Sequence, residues 1–331
     1  MEFDYNADAD RIQNACKGLG TKEEDLIDVI GRRTLAQRHQ IRLAYFAKYK
    51  KDLLDVLESE LSKDFGKLTR NLFLGPIQVA ADDLYRIFKK SGSAGSDVND
   101  IICILSPSEI AELKTAYAEV LAHEGVKDKT RTLEKDIEKG TKGGHRDFLL
   151  KFINTHRPEF PPEIIKSASL SKNQDNHVDK LQVERHAAAI HAAGEGKAGK
   201  GNETEVTRIL CSCSVLDIRA IYDHFMKVYN VSLVHYIENA FKNPLRDAYN
   251  TVIMSAVDLR LLLVAQLYNS MHGMGTDERT LSRIICIRSE TDLPYLKLLY
   301  QQKIGKSLAD AIASETSGDY RSLLLTLLGN K

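Results

Sequence analysis

The chain has 331 residues, 43% of them apolar, with no tryptophan, enough for two to four small domains or one repeat array. Its 46 Lys and Arg balance 46 Asp and Glu, so no global field draws it to nucleic acid or to an acidic membrane. No run of about 18 apolar residues argues for a bilayer span, and the acidic start "MEFDYNADAD" lacks the apolar stretch of a signal peptide. Apolar residues recur at helical intervals, as in "LLDVLESEL" and "YRSLLLTLLG", and no segment sustains a two-residue alternation. The pattern predicts an all-α protein. The five cysteines lie mostly in apolar runs, the usage of buried free thiols in a reducing compartment, which makes the sequons at Asn202 and Asn230 chance matches.

The first stretch that needs explaining is "CKGLGTKEEDL", Cys16 to Leu26, which sets two glycines before a helical pattern. A helix end follows at Val29–Thr34, and its motif returns three times, at Ile101–Ser106, Ile209–Ser214 and Ile284–Ser289. Each copy has two aliphatics, a small residue, two further positions and then Ser or Thr. Gln37 and Glu109 stand three residues on and complete capping boxes; Asp217 and Asp292 are weaker versions. Pro107 suits a first helical position. Eleven residues past each cap stands an aromatic, Tyr45, Tyr117, Phe225 and Tyr300, about three turns on and so on the same face. The chain therefore reads as a fourfold repeat. Its segments are 1–74, 75–155, a Pro-, Ser- and Asn-rich linker at 156–177, 178–250 and 251–331.

The opening loop returns nearly intact as "MHGMGTDERTL", Met271 to Leu281. Each copy has an acid at one fixed distance: Glu60 follows Thr21 by 39 residues and Glu315 follows Thr276 by 39. The chemistry fits calcium, which takes about 6–8 hard oxygens at roughly 2.3–2.6 Å and accepts backbone carbonyls. Glycines turn carbonyls towards one point because a positive φ costs them little. The carbonyls of Cys16, Gly18 and Gly20 with the carboxylate of Glu60 form one candidate set; Met271, Gly273, Gly275 and Glu315 form the other. Few charges imply weak affinity, about 10⁻⁴–10⁻³ M, with water or a phosphate oxygen in the remaining positions. The plainer alternative is that Thr21 and Thr276 cap the next helices, with Glu24 completing a box.

The stretches "KGLGTKEEDLIDVI", "DLLDVLESEL", "GMGTDERTL", "IRSETDL" and "SETSGDY" resemble the annexin family, and the resemblance covers nearly the whole chain. It implies four repeats of five helices in a slightly curved disc. It also implies neighbouring first and fourth repeats, and calcium-dependent binding to acidic phospholipid by a cytoplasmic, peripheral, non-enzymatic protein. The middle repeats depart from the family pattern. Lys90 replaces the first glycine and Gly140 the acid in the second; in the third, "GEGKAGKGNETE" is out of register by one and Ala240 replaces the acid. Keeping sites one and four is similar to plant annexins and to the α-giardins, protozoan annexins associated with cytoskeleton and flagella. Leu19 stands where plant members carry tryptophan, which favours the giardin-like branch.

Rival readings are fewer. "GEGKAGKG", Gly194 to Gly201, is a near P-loop that lacks the Ser or Thr and the preceding strand, so a nucleotide-binding enzyme is the weaker alternative. His186 and His191 are five apart rather than the four that face one helix side, and Cys211-x-Cys213 has neither redox nor zinc spacing. Basic clusters at Lys48–Lys51 and Lys89–Lys90 suit solvated faces, lipid headgroups, sulfated glycans or an acidic cytoskeletal protein. A calcium-independent structural protein on the same scaffold is the second class of function. The tail ahead of the first helix is only about ten residues, so no N-terminal regulatory arm is expected.

Overall fold

The computed structural model describes residues 3–17, 20–61, 63–90, 94–171, 177–196, 198–273 and 275–329. Among these residues the regular structure is helical and no strand occurs. The first five helices are α1 (Tyr5–Ala15), α2 (Glu23–Arg32), α3 (Leu35–Tyr49), α4 (Leu53–Glu60) and α5 (Lys63–Asn71). The second five are α6 (Pro76–Lys89), α7 (Asn99–Ile102), α8 (Pro107–His123), α9 (Leu133–Gly140) and α10 (Gly143–Asn154). A further helix, α11 (Pro162–Ser171), lies inside the segment expected to be a linker. Pro162 opens it, at the position where a missing N–H costs least. The pattern then resumes with α12 (Lys180–Gly194), α13 (Glu203–Leu210), α14 (Val215–Tyr229), α15 (Leu233–Ala240) and α16 (Leu245–Met271). It closes with α17 (Glu278–Arg288), α18 (Leu293–Ile304), α19 (Leu308–Glu315) and α20 (Gly318–Leu327).

The α16 stretch is two helices that meet at a kink. Its backbone leaves helical geometry at Asp258 (φ −159°, ψ 95°), so the helix containing residue 250 runs on to that point. The Asp258 carboxylate then accepts from the N–H groups of Arg260 and Leu261, as a cap for the second half. By length and mean hydropathy this stretch is apolar enough to cross a membrane, although no unbroken apolar run of that length exists. The break at Asp258 and the burial of Ala248, Tyr249, Ile253 and Leu267 mark it as the core of two repeats. The fourfold repeat read from the motif register and the five helices per repeat implied by the annexin resemblance are thus present among the described residues.

The caps explain where helices start. Thr34, Ser106 and Ser214 each accept from the third backbone N–H of the next helix, and Gln37, Glu109 and Asp217 reach back. The fourth copy differs. Ser289 donates its hydroxyl to the Cys286 carbonyl, and α18 begins only after Asp292. Pro294 is the reason: a helix capped by Ser289 would put this proline at its fifth position, where its ring clashes with a carbonyl one turn back. The four in-register aromatics, Tyr45, Tyr117, Phe225 and Tyr300, are all buried to within 2%.

The chain forms two compact units, Met1–Asp83 with Leu263–Lys331, and Leu84–Leu262. In the first unit α2 packs along α20, and α5 touches α17 and α20, so repeats one and four share a core. The small residue of the motif matters there. A β-carbon on Gly31 would come within 2.9 Å of Thr326 and 3.1 Å of Leu323. In the second unit α12 packs on α13 and α14, and α10 joins α9 to α13. The Nε2 of His145 (α10) lies 2.7 Å from Asn99 Oδ1, and Asn99 Nδ2 donates to the Pro244 carbonyl at 3.2 Å.

Candidate metal centre

Both glycine loops belong to the first unit and are built alike. In the first, Cys16 caps the end of α1, and the N–H of Lys22 returns to the Ala15 carbonyl at 2.9 Å. In the second, Met271 ends α16, and the N–H of Asp277 returns to the Ser270 carbonyl at 2.7 Å. The two closing bonds join equivalent residues, so each loop is pinched shut at the same place. Gly20 has φ +87° and Gly275 φ +90°, and a β-carbon at either would meet no atom within 4 Å. Gly273 has φ +125°. These are angles at which only glycine sits without strain. Gly18 lies outside the described residues.

The acids stand beside the loops. Glu60 is the last residue of α4 and Glu315 the last of α19, and both are exposed. Burial, together with the nearby carboxylates of Glu60 and Glu23, pushes the Cys16 thiol up to about 11. Tyr45 is raised to about 12 by burial and by Cys16, Tyr49 and Glu60. Its counterpart Tyr300 is raised by burial, Tyr268 and Glu315. Glu60 and Glu315 are thus within charge reach of equivalent ring hydroxyls, and Glu60 within that of the loop residue Cys16. In the fourth repeat the link is direct: Thr276 Oγ1 donates to the Glu315 carbonyl at 2.9 Å.

That bond overturns the capping alternative for Thr276. The N-cap of α17 is Asp277, whose carboxylate accepts from Thr280 N, and the N-cap of α2 is Lys22, with no side-chain cap bond. The threonine register is visible in the sequence; its task of tying the loop to the distant helix end is not. No group of three or more His, Cys, Asp and Glu side chains stands together among the described residues. The donors that the loops offer a cation are backbone carbonyls and the carboxylate beside each loop. Such an all-oxygen set fits a hard divalent ion such as calcium and would suit zinc or copper poorly.

The middle repeats fill the same places with protein. In the second, the Gly140 carbonyl accepts from Ala94 N–H at 2.8 Å, and a β-carbon on Gly140 would lie 2.7 Å from the Phe88 ring. In the third, Ala240 is buried and its carbonyl accepts from Gly201 N–H at 3.0 Å. The closing bond there runs from Asn202 back to Ala193, two residues longer than in repeats one and four, rather than one residue out of register. The same loop carries the near P-loop. The N–H groups of Gly199 and Gly201 point at the Asn239 and Ala240 carbonyls, so neither is free to cradle a phosphate. Restoring an acid by Gly140→Glu should lower thermal stability by about 1–3 kcal/mol through the Phe88 clash and add no bound calcium. Denaturation with calcium titration checks this; an additional equivalent of bound calcium would contradict it.

The annexin family model matches residues 7–72, 185–251 and 263–327, which is more than half of the chain. Annexin A13 of Mus musculus is 35% identical over 98% of this chain and 95% of its own length. The chain belongs to the annexin family. Among solved structures, calcium-bound annexin (Sm)1 superposes with a TM-score of 0.83 at 30% identity, covering 99% of this chain and 91% of that one. Calcium-bound alpha-14 giardin superposes at 0.77 with 18% identity, over 98% and 99%, a likeness of fold. Annexins in general bind phospholipid in a calcium-dependent way, associate with membranes peripherally and are not enzymes. The stretch that the family model leaves out, 73–184, includes the second-repeat loop that this annexin has closed off with Gly140 and Phe88.

Proposed function

We propose that this annexin binds acidic phospholipid membranes peripherally through two calcium ions. One would be held by the carbonyls of Cys16, Gly18 and Gly20 with Glu60, the other by those of Met271, Gly273, Gly275 with Glu315. The observation that carries the reading is the matched pair of pinched loops in one unit, each with a glycine near φ +90° beside an exposed acid. Calcium supplies the positive charge, and a lipid phosphate oxygen completes the shell that the protein leaves open. The chain's charge is balanced, so long-range attraction contributes little at physiological salt.

The basic clusters that would serve a cytoskeletal or sulfated-glycan partner are partly engaged within the protein. Lys48 pairs with Asp10 at 2.5 Å and Lys89 with Glu124 at 3.1 Å. The test is sedimentation with phosphatidylserine vesicles at physiological salt. The protein should pellet with calcium, return to solution on chelation at constant ionic strength, and stay bound when moderate NaCl is added with calcium present. Release by NaCl alone, with chelator ineffective, would mean that lysines rather than calcium hold the membrane.

A further inference from the structure

In repeats two and three, lysines stand at and beside the positions that the glycines and the distant acid hold in repeats one and four. In repeat three, exposed Lys200 sits in the loop and exposed Lys242 two residues beyond the end of α15. The stem of Lys242 lies over Gly199, where a β-carbon would come within 2.6 Å of its Cε. Gly199, at φ +72°, therefore lets the lysine chain lie along the loop and carry its ammonium to the rim. The neighbouring acids Glu195 and Glu238 lie 3.3 Å from His191 Nδ1 and 3.4 Å from His235 Nδ1, contacts that become ion pairs only when the imidazole is protonated. In repeat two, Lys90 is exposed at the place of the first glycine, and exposed Lys139 and Lys142 flank Gly140. The Ala94–Gly140 bond brings that loop onto that helix end. None of these five lysines forms an ion pair among the described residues.

We propose that repeats two and three contact anionic phospholipid headgroups without calcium, with lysine ammonium groups in the register where repeats one and four present calcium ligands. The choice of a membrane as the source of the anionic phosphate rests on the function proposed above. Net neutrality does not oppose this. Screening confines each charge to about 10 Å at 0.1 M salt, so the local patch decides and not the sum over the chain. Each lysine held at an anionic surface contributes about fivefold in affinity at low ionic strength. The contact is then a weak auxiliary to the calcium bridges, visible once calcium is withheld and salt is low.

The test uses the full chain, chelator and low ionic strength, with phosphatidylserine-containing vesicles against phosphatidylcholine vesicles. The variants are Lys200→Gln with Lys242→Gln, and Lys90→Gln with Lys139→Gln and Lys142→Gln. All five sites are exposed, so the fold should persist, which circular dichroism checks. Wild type should pellet with phosphatidylserine only and be released by NaCl. The variants should weaken this calcium-free retention by about 25-fold for the two-lysine change and on the order of 100-fold for the three-lysine change, and leave the calcium midpoint at physiological salt unchanged. Absence of calcium-free binding in wild type, or equal binding by the variants, would overturn the proposal. So would lysine-dependent retention on a sulfated glycan without vesicle binding, which would assign these lysines to a glycan. Loss of the calcium arm alone would sink the calcium-bridge reading and leave the lysine result standing.

Discussion

A Glu60→Gln, Glu315→Gln double variant should keep its helical fold and lose calcium-dependent sedimentation with acidic vesicles. Both acids are exposed at helix ends, so neutralising them removes no buried partner. Each change takes away the one charge and the bidentate contact of its candidate site, leaving carbonyls that bind calcium weakly on their own. The single variants are as informative. Once one calcium bridge tethers the protein, the second forms at a high effective concentration, an advantage of about 10²–10⁴ over either bridge alone. Each single variant should therefore lose about 10²-fold in apparent affinity, and the calcium dependence should become shallower. Sedimentation of the double variant at the wild-type calcium midpoint would remove Glu60 and Glu315 from the site.

Much of this arrangement is legible in the sequence, because one backbone solution is used four times. Three capping boxes, four buried aromatics and the spacing of Glu60 and Glu315 are all repeats of a local rule. Local rules fail where one residue changes the geometry. Pro294 moves a helix start from Ser289 to Asp292, although the proline itself was in plain view. The break at Asp258 leaves no glycine or proline to announce it, and continuous apolar spacing on both sides hides it. Segment 156–177 has the composition of a linker, yet Pro162 initiates α11 within it.

The candidate site is legible in its glycines and acids and hidden in its fastenings. Thr21 and Thr276 fit a capping pattern, and only the three-dimensional path of α19 shows that the Thr276 hydroxyl reaches the Glu315 carbonyl instead. Contacts between residues 39 apart depend on how three intervening helices pack. The closure of the middle repeats could be inferred from Lys90, Gly140 and Ala240. That Phe88 occupies the space of the missing acid could not, since ring packing leaves no periodic mark. The giardin-like branch, read from Leu19 and the absent tryptophan, meets a likeness of fold at 18% identity, whereas the annexin A13 relative is 35% identical.

Mild acid should weaken the second unit through His145. This side chain is 3% exposed, and burial lowers its pKa to about 4, with the Asp247 carboxylate opposing part of the shift. Asn99 Nδ2 donates to the Pro244 carbonyl, so Asn99 Oδ1 is the acceptor facing the ring, and the neutral tautomer carries its proton on Nε2. A second proton would go to Nδ1, which has no hydrogen-bond partner among the described residues. The unfolded chain titrates near pH 6.5, so between about pH 6.5 and about pH 4 it takes up a proton that the folded chain refuses. Stability is therefore full above that window and falls as pH drops through it, by about 2 kcal/mol at about pH 5 and about 3 kcal/mol at its lower end. His186, also lowered by burial, titrates in the same direction. Urea unfolding at about pH 7 and about pH 5 should show the loss in wild type. His145→Gln, which keeps an amide donor for Asn99 and cannot titrate, should lose about 2 kcal/mol less between the two pH values. An equally steep fall in the variant would mean that protonation of other groups, and not of His145, opens the second unit.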